Sequence, residues 1–309
     1  MDLVSIIITT YNRTQWLVQA IDSAVRQSYN PIEVIVIDDG SDNEGARKIV
    51  ENYPGVTYRY QENLGLGAAR NLGISVSTGK WIQFLDDDDW LTPDSILLKH
   101  EVFLQNPNVE VVYSDLYLCD EHGTITKRYY NNQSFPLPTG DIFPQIIIKN
   151  FIPIHALLWR RTTLEKSGGF PQLSGHEDWE CLIKASMFAR FEFLNQPLGV
   201  YRQHRLSMSR NFSVMYSGKI SMQKGLVAST RFRELPNEDR IRLLCKYAFQ
   251  QWGFGQENLA REFLAQAHEI NRVNFLPRIL RIWFKFGRWP TRFTIRLLGF
   301  LKNRADRFK

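Results

Sequence analysis

Trp81-Ile82-Gln83-Phe84-Leu85-Asp86-Asp87-Asp88-Asp89 is the stretch on which the fold turns: a mostly apolar run that ends in four consecutive carboxylates. The first five residues suit a buried β-strand. The four aspartates repel one another, and at an effective dielectric near 20 each like-charge contact at ~4 Å costs about 4 kcal/mol. A hard divalent cation, which prefers oxygen ligands, would offset that cost. The alternative is a solvated acidic turn capping a helix that starts near Pro93, so the neighbouring sequence must decide between them.

Working outward, short β-branched or aromatic runs recur at Val4–Thr9, Glu33–Asp38, Val56–Tyr60 and Val109–Tyr113. Between them Gln15–Gln27, Gly45–Tyr53, Ala68–Ser75 and Pro93–Gln105 read as helices, the last with Thr92 as N-cap and Pro93 at its first position. This alternation predicts an α/β fold with a mostly parallel sheet covered on both faces. Such sheets bind ligands outside the carboxyl ends of their strands. Thr9-Thr10-Tyr11-Asn12, Asp38-Asp39-Gly40-Ser41 and the aspartate run all fall at those ends.

Further along, Leu116–Phe151 reads as an irregular polar excursion. A strand is expected at Ile154–Trp159, a helix at Arg161–Ser167, and a helix opened by Glu177-Asp178-Trp179-Glu180. Phe191–Asn195 follows as a strand, with Val200-Tyr201-Arg202-Gln203-His204 as a separate segment. Beyond Asn211 the strand signals stop, and Arg240–Trp252 and Glu257–Ile270 read as amphipathic helices.

Three widely spaced cysteines, Cys119, Cys181 and Cys245, show no metal-ligand spacing and point to a reducing compartment. No leader is expected at the N-terminus and no run reaches 18 apolar residues, so a cytoplasmic protein without a spanning helix is expected. Residues 272–309 carry eleven Lys and Arg against one acid, Asp306. Subtracting that tail's +10 from the chain's +6 leaves a body of −4.

The blocks Ser5–Asn12, Val36–Asp42, Asn63-Leu64-Gly65 with Ala69-Arg70-Asn71, Phe84–Asp89, Glu177-Asp178 and Tyr201–His204 resemble, in order and separation, family 2 glycosyltransferases. The resemblance implies a GT-A fold, a Rossmann-like sheet flanked by helices, over residues 1–212. Its nucleotide-binding half would run to about 115 and its acceptor half over 116–212. A helical segment 213–271 and the basic tail 272–309 would follow. It further implies a nucleotide-diphosphate sugar donor, a Mg²⁺ or Mn²⁺ ion, and inversion at the anomeric carbon. The acceptor would be a saccharide or a lipid-linked saccharide; the alternatives are a catalytically degenerate binding or scaffold protein on the same fold, or a synthase that transfers sugar to polyprenyl phosphate.

Residue by residue, Thr9, Tyr11 and Asp39 would meet the nucleobase, although Asp38 and Asp39 could also cap the turn into the next helix. Arg70 is similar to the family's nucleotide-side arginine. The family's DxD pattern maps onto Asp86 and Asp88, with Asp88 as metal ligand, Asp86 on the ribose or donor sugar, and Asp87 between them on the donor side. His204, in the segment that would close over the diphosphate, would be a second metal or phosphate ligand. Asp178 matches the base, with Glu177 supporting it. Trp159 and Gly168-Gly169-Phe170 fall where the family lines the donor–acceptor region.

In the tail, Arg278, Arg281, Lys285, Arg288, Arg292 and Arg296 recur every three or four residues among Trp and Phe. That pattern suits an anionic membrane surface, which would place the protein peripherally at the inner face of a membrane. No nucleic-acid recognition module is apparent.

Overall fold

The computed structural model describes residues 1–130, 137–172, 175–205, 207 and 212–271. The chain divides into two compact units, Met1–Leu226 and the residues from Val227 onward. The first begins with β1 (Val4–Thr10), α1 (Leu17–Val25), β2 (Ile32–Asp38), α2 (Gly45–Val50), β3 (Val56–Tyr60) and α3 (Leu66–Val76). It continues with β4 (Trp81–Asp86), β5 (Trp90–Leu91), α4 (Ser95–Gln105), β6 (Val111–Cys119), β7 (Ile125–Arg128) and α5 (Phe143–Ile146). Then come β8 (Leu157–Arg160), α6 (Arg161–Ser167), α7 (Glu177–Ser186), β9 (Phe191–Arg202) and α8 (Phe212–Ala228), whose last two residues belong to the second unit.

These strands form one sheet of order β3-β2-β1-β4-β8-β6-β9-β5, with β7 paired to β6. The expected parallel arrangement holds across β3-β2-β1-β4. Beyond β4 the directions mix: β8 runs antiparallel to both β4 and β6, while β6 and β9 are parallel.

All seven residues of β1 are buried, as a central strand covered on both faces requires. Ile6 and Ile8 join Leu17, Ala20, Ile21 and Ala24 of α1 in one apolar cluster. Ile7 alternates to the other face, where α3 approaches so closely that a Cβ at Gly73 would collide with it. Each such isoleucine contributes roughly 1.5–3 kcal/mol through burial. The register then fixes the site, because Thr9 lies opposite Asp86 on β4 and Thr10 opposite Asp38 on β2.

Three expectations are corrected. Thr92 does not cap α4; its backbone N–H donates to Leu198 and its carbonyl accepts from Gln27 and Ser95, so the helix starts at Ser95. Leu116–Phe151 is not an irregular excursion. It carries the continuation of β6, the hairpin to β7, and α5. The exposed, mixed residues of β7 left no apolar signal to read. Finally, Phe191–Asn195 and Val200 onward form one strand, β9, with a register shift where Asp115 faces Pro197, which has no N–H to donate.

In the second unit α9 (Thr230–Glu234) precedes α10 (Asn237–Gly253) and α11 (Glu257–Ile270), the two helices expected from periodicity. Tyr247 and Phe263 meet between them with ring centroids 5.9 Å apart. No helix among the described residues is long and apolar enough to cross a membrane. The basic tail 272–309 lies outside the described residues.

Candidate active site

The site gathers at the carboxyl ends of β1, β2 and β4. At the end of β2, Asp38 serves the turn: its Oδ1 accepts from Ser41 N at 2.9 Å and its Oδ2 from Tyr58 Oη at 2.8 Å. Asp39, also buried, accepts from Gln61 Nε2 at 2.6 Å and Leu64 N at 3.0 Å through Oδ1. Asn12, in the left-handed region at φ 50°, ties the end of β1 to this turn by donating to Asp42 Oδ2 at 2.8 Å. Thr9 is buried, whereas the Tyr11 ring beside it is 48% exposed and open to a ligand.

The four aspartates have different surroundings. Asp86, at the end of β4, accepts from Arg70 Nη2 at 2.9 Å. Asp87 accepts from Thr10 Oγ1 at 2.6 Å and from Arg13 Nε at 2.8 Å. Asp88 Oδ2 lies 2.9 Å from Arg13 Nη1 and 2.7 Å from His204 Nε2. Asp89 accepts from Arg202 N at 2.8 Å and faces His155 Nδ1 at 3.0 Å. The run is thus surrounded by two arginines, the Thr10 hydroxyl, the Arg202 backbone amide and the rings of His155 and His204.

Titration follows that pattern. Burial opposes charge on Asp86, but Arg70, His155 and Arg13 outweigh it and hold its carboxyl below the ordinary value. For Asp87 and Asp89 burial wins over Arg13 and His155 respectively, and each carboxyl is pushed up to about 7. Burial also works against a charged His155, yet Asp89 and Asp86 raise it.

One ligand atom each from Asp86, Asp89 and His155 lies within 4.8 Å of the others, so these residues could hold a metal ion. Carboxylate oxygens with an imidazole suit a hard or borderline divalent cation such as Mg²⁺ or Mn²⁺. The expected pair Asp88 and His204 is in direct contact beside this cluster.

Arg70 connects the aspartates to α7. It is 2% exposed and donates through Nη1 to Glu177 Oε1 at 2.9 Å and through Nη2 to Asp86. Burial pushes the Glu177 carboxyl up to about 7 in spite of Arg70. The next residue, Asp178, is only partly buried; its Oδ2 accepts from Asn150 Nδ2 at 3.1 Å and its Oδ1 from Trp179 N at 2.6 Å. Both carboxylates occupy the first turn of α7, where the helix dipole favours negative charge. Trp159 is fully buried, with its ring 6.3 Å from Phe191, and serves the core. The Gly168-Gly169-Phe170 turn is clamped by Asn71, which donates to Phe170 O at 2.7 Å and accepts from Phe170 N at 2.9 Å.

Arg13 and His155 carried no weight in the sequence, while Asn71 and Arg202 stood inside the resembling blocks with no role assigned to them. Arg13 directly follows Tyr11-Asn12, a position that could have flagged it. His155 meets the aspartates only because β8 inserts beside β4.

The model of glycosyl transferase family 2 matches residues 5–166, just over half of the chain. Chondroitin synthase of Escherichia coli is 29% identical over 198 residues, 63% of this chain but 28% of the synthase. The chain therefore spans under a third of that relative's length. Staphylococcus aureus TarS 1-349, solved with UDP-GlcNAc, superposes with a TM-score of 0.61 at 16% identity, covering 87% of this chain and 81% of that one. Mannosyltransferase PcManGT of Pyrobaculum calidifontis, solved with GDP-Man and Mn²⁺, gives 0.59 at 17% identity, covering 98% and 85%. At such identities the likeness is one of fold.

Proposed function

The chain belongs to glycosyl transferase family 2, and from that premise we propose that it moves a sugar from a nucleotide-diphosphate donor to a hydroxyl of a saccharide or lipid-linked saccharide, inverting the anomeric carbon. The observation that carries this reading is the buried Arg70, which joins Asp86 on the donor side to Glu177 beside Asp178. A guanidinium bonded at once to Asp86 and to Glu177 ties the aspartate run to the start of the helix that carries Asp178, which limits how far donor and base can move apart, as an in-line displacement needs.

In this reading Tyr11 offers its exposed ring to the base, Thr9 lines the strand end, and Asp39 accepts from the base edge while Gln61 and Leu64 hold its other contacts. Asp86 takes the ribose or sugar. Asp88 and His204 face the diphosphate, with Asp86, Asp89 and His155 beside them, and Asp87 acts by orienting Arg13. Mg²⁺ or Mn²⁺ bound by these residues would supply Lewis-acid neutralisation of the departing diphosphate. Asp178 accepts the acceptor hydroxyl proton as the new C1–O bond forms and the C1–O bond to phosphate breaks. Arg13 already lies against Asp87 and Asp88, where it can follow negative charge onto the phosphates.

The basic composition of residues 272–309 supports contact with anionic lipid, and hence work at the inner face of a membrane on cell-surface polysaccharide or glycolipid. The relative named chondroitin synthase supports polysaccharide as the product class. The test is transfer from a panel of UDP-, GDP- and dTDP-sugars, with and without EDTA. Release of nucleotide diphosphate that needs metal and acceptor is expected. Metal-independent turnover would overturn the metal assignment, and no turnover with any donor would favour a binding protein on the same fold.

A further inference from the structure

We propose that Arg202 is a positioning residue that holds Asp88, Asp89 and His204 in one frame, an inference that rests on reading the aspartate run as the donor site. Arg202 ends β9 and is 2% exposed. Its backbone N–H donates to Asp89 Oδ1 at 2.8 Å, and its Nε donates to the backbone carbonyl of Asp88 at 3.0 Å. Nη1 reaches Glu121 O at 2.9 Å in the β6–β7 turn, and Nη2 reaches Gln19 Oε1 at 2.6 Å on α1. The guanidinium carbon lies 5.0 Å from the Trp16 ring centroid and 4.9 Å from that of Trp90. Trp16 continues the chain of contacts, since its ring sits 4.5 Å from the His204 ring, and His204 Nε2 is 2.7 Å from Asp88 Oδ2.

The choice of partners is informative. A buried guanidinium gains most from a bidentate ion pair with a carboxylate. Arg202 instead spends its side-chain donors on two carbonyls and an amide oxygen, with two indole rings about its guanidinium carbon. It grips the aspartate loop by its main chain, so the Asp88 carboxylate is left to Arg13, His204 and a ligand. Lysine offers neither a planar face to two indoles nor donors in three fixed directions.

The arrangement is tested with Arg202→Met, Arg202→Lys and Gln19→Met, using two readouts: the His204 imidazole nitrogen resonances of the metal-free protein, and kcat and KM with the donor the panel identifies. Arg202→Met is expected to shift the His204 resonances toward those of a freely turning ring and to lower kcat at least tenfold. Arg202→Lys should restore neither. Gln19→Met, which removes one tether and should fold even if Arg202→Met does not, should move the same resonances by less. A fall in Tm in these variants with the His204 resonances and kcat of the wild type would overturn the proposal. Should the wild type turn over no donor, the transferase reading falls, while the His204 resonances still decide the role of Arg202.

Discussion

Arg13 and Asp88 meet at 2.9 Å, and the same guanidinium bonds Asp87, so a cation from the loop after β1 sits on the aspartate run where a metal ion would draw on the same negative charge. Arg13→Ala should therefore cost ~3 kcal/mol of stability without metal, because it strips a partner from buried carboxylates. Added Mn²⁺ should raise the Tm of the variant more than that of the wild type. Equal metal-induced shifts would show that Arg13 and the ion do not answer to the same charge.

Asp178→Asn should lower kcat by roughly 10²- to 10⁴-fold, the usual worth of a positioned general base. Donor affinity, read by calorimetry, should hardly change, because Asp178 contacts Asn150 and Trp179 rather than the aspartate run. A variant that keeps full transfer would remove Asp178 from the role of base.

Asn71→Ala frees both backbone groups of Phe170 and should cost ~1–3 kcal/mol by urea unfolding. Gly169→Ala attacks the same clamp from the other side. Gly169 has φ 67°, and a Cβ there would lie 2.5 Å from Asn71 Oδ1. An unchanged urea midpoint in Asn71→Ala would mean that the clamp does not bear on stability.

Lys99 is wholly buried, bonded through Nζ to Gln83 Oε1 at 3.0 Å, and burial pulls its ammonium down to about 7. Below that pH both folded and unfolded states carry the proton, and the cost of burying it is fully felt. Between about 7 and the ordinary lysine value near 10.5 only the unfolded state stays charged, so this group makes stability rise with pH there. Lys99→Met should flatten that rise in urea unfolding from pH 6 to 10. An unaltered slope would mean that Lys99 is neutral, or paired, throughout.

The parallel half of the sheet was legible because β1, β2 and β4 carry dense apolar runs with turn residues at the end, and β3 is β-branched and aromatic. Asp86, Asp88, Asp178, Arg70 and Asp39 stood out through the blocks that resemble the family; Asp39, Asp86 and Asp88 lie at or just past the ends of β2 and β4, and Arg70 joins Asp86 to Glu177 beside Asp178. What Arg13 and Arg202 bond to could not be found that way. Arg13 reaches Asp87 across 74 positions of sequence and Arg202 reaches Asp89 across 113, and no local spacing encodes such pairs. The same holds for β7, whose exposed residues carry no burial pattern. Dividing the aspartates into roles also needed the fold, because four identical residues differ only in what surrounds them.

The bond from Arg70 to Glu177 spans 107 residues, and it has a consequence for biosynthesis. A ribosome adding about 5–20 residues per second delivers Glu177 some 5 to 20 seconds after Arg70. Through that interval the nascent N-terminal part of the sheet holds a guanidinium destined for near-complete burial with only Asp86 of its two carboxylate partners made. The early strands can pair as they emerge, but the pocket cannot seal around Arg70 until α7 arrives, so synthesis itself sets the order in which the two sides of the site are assembled.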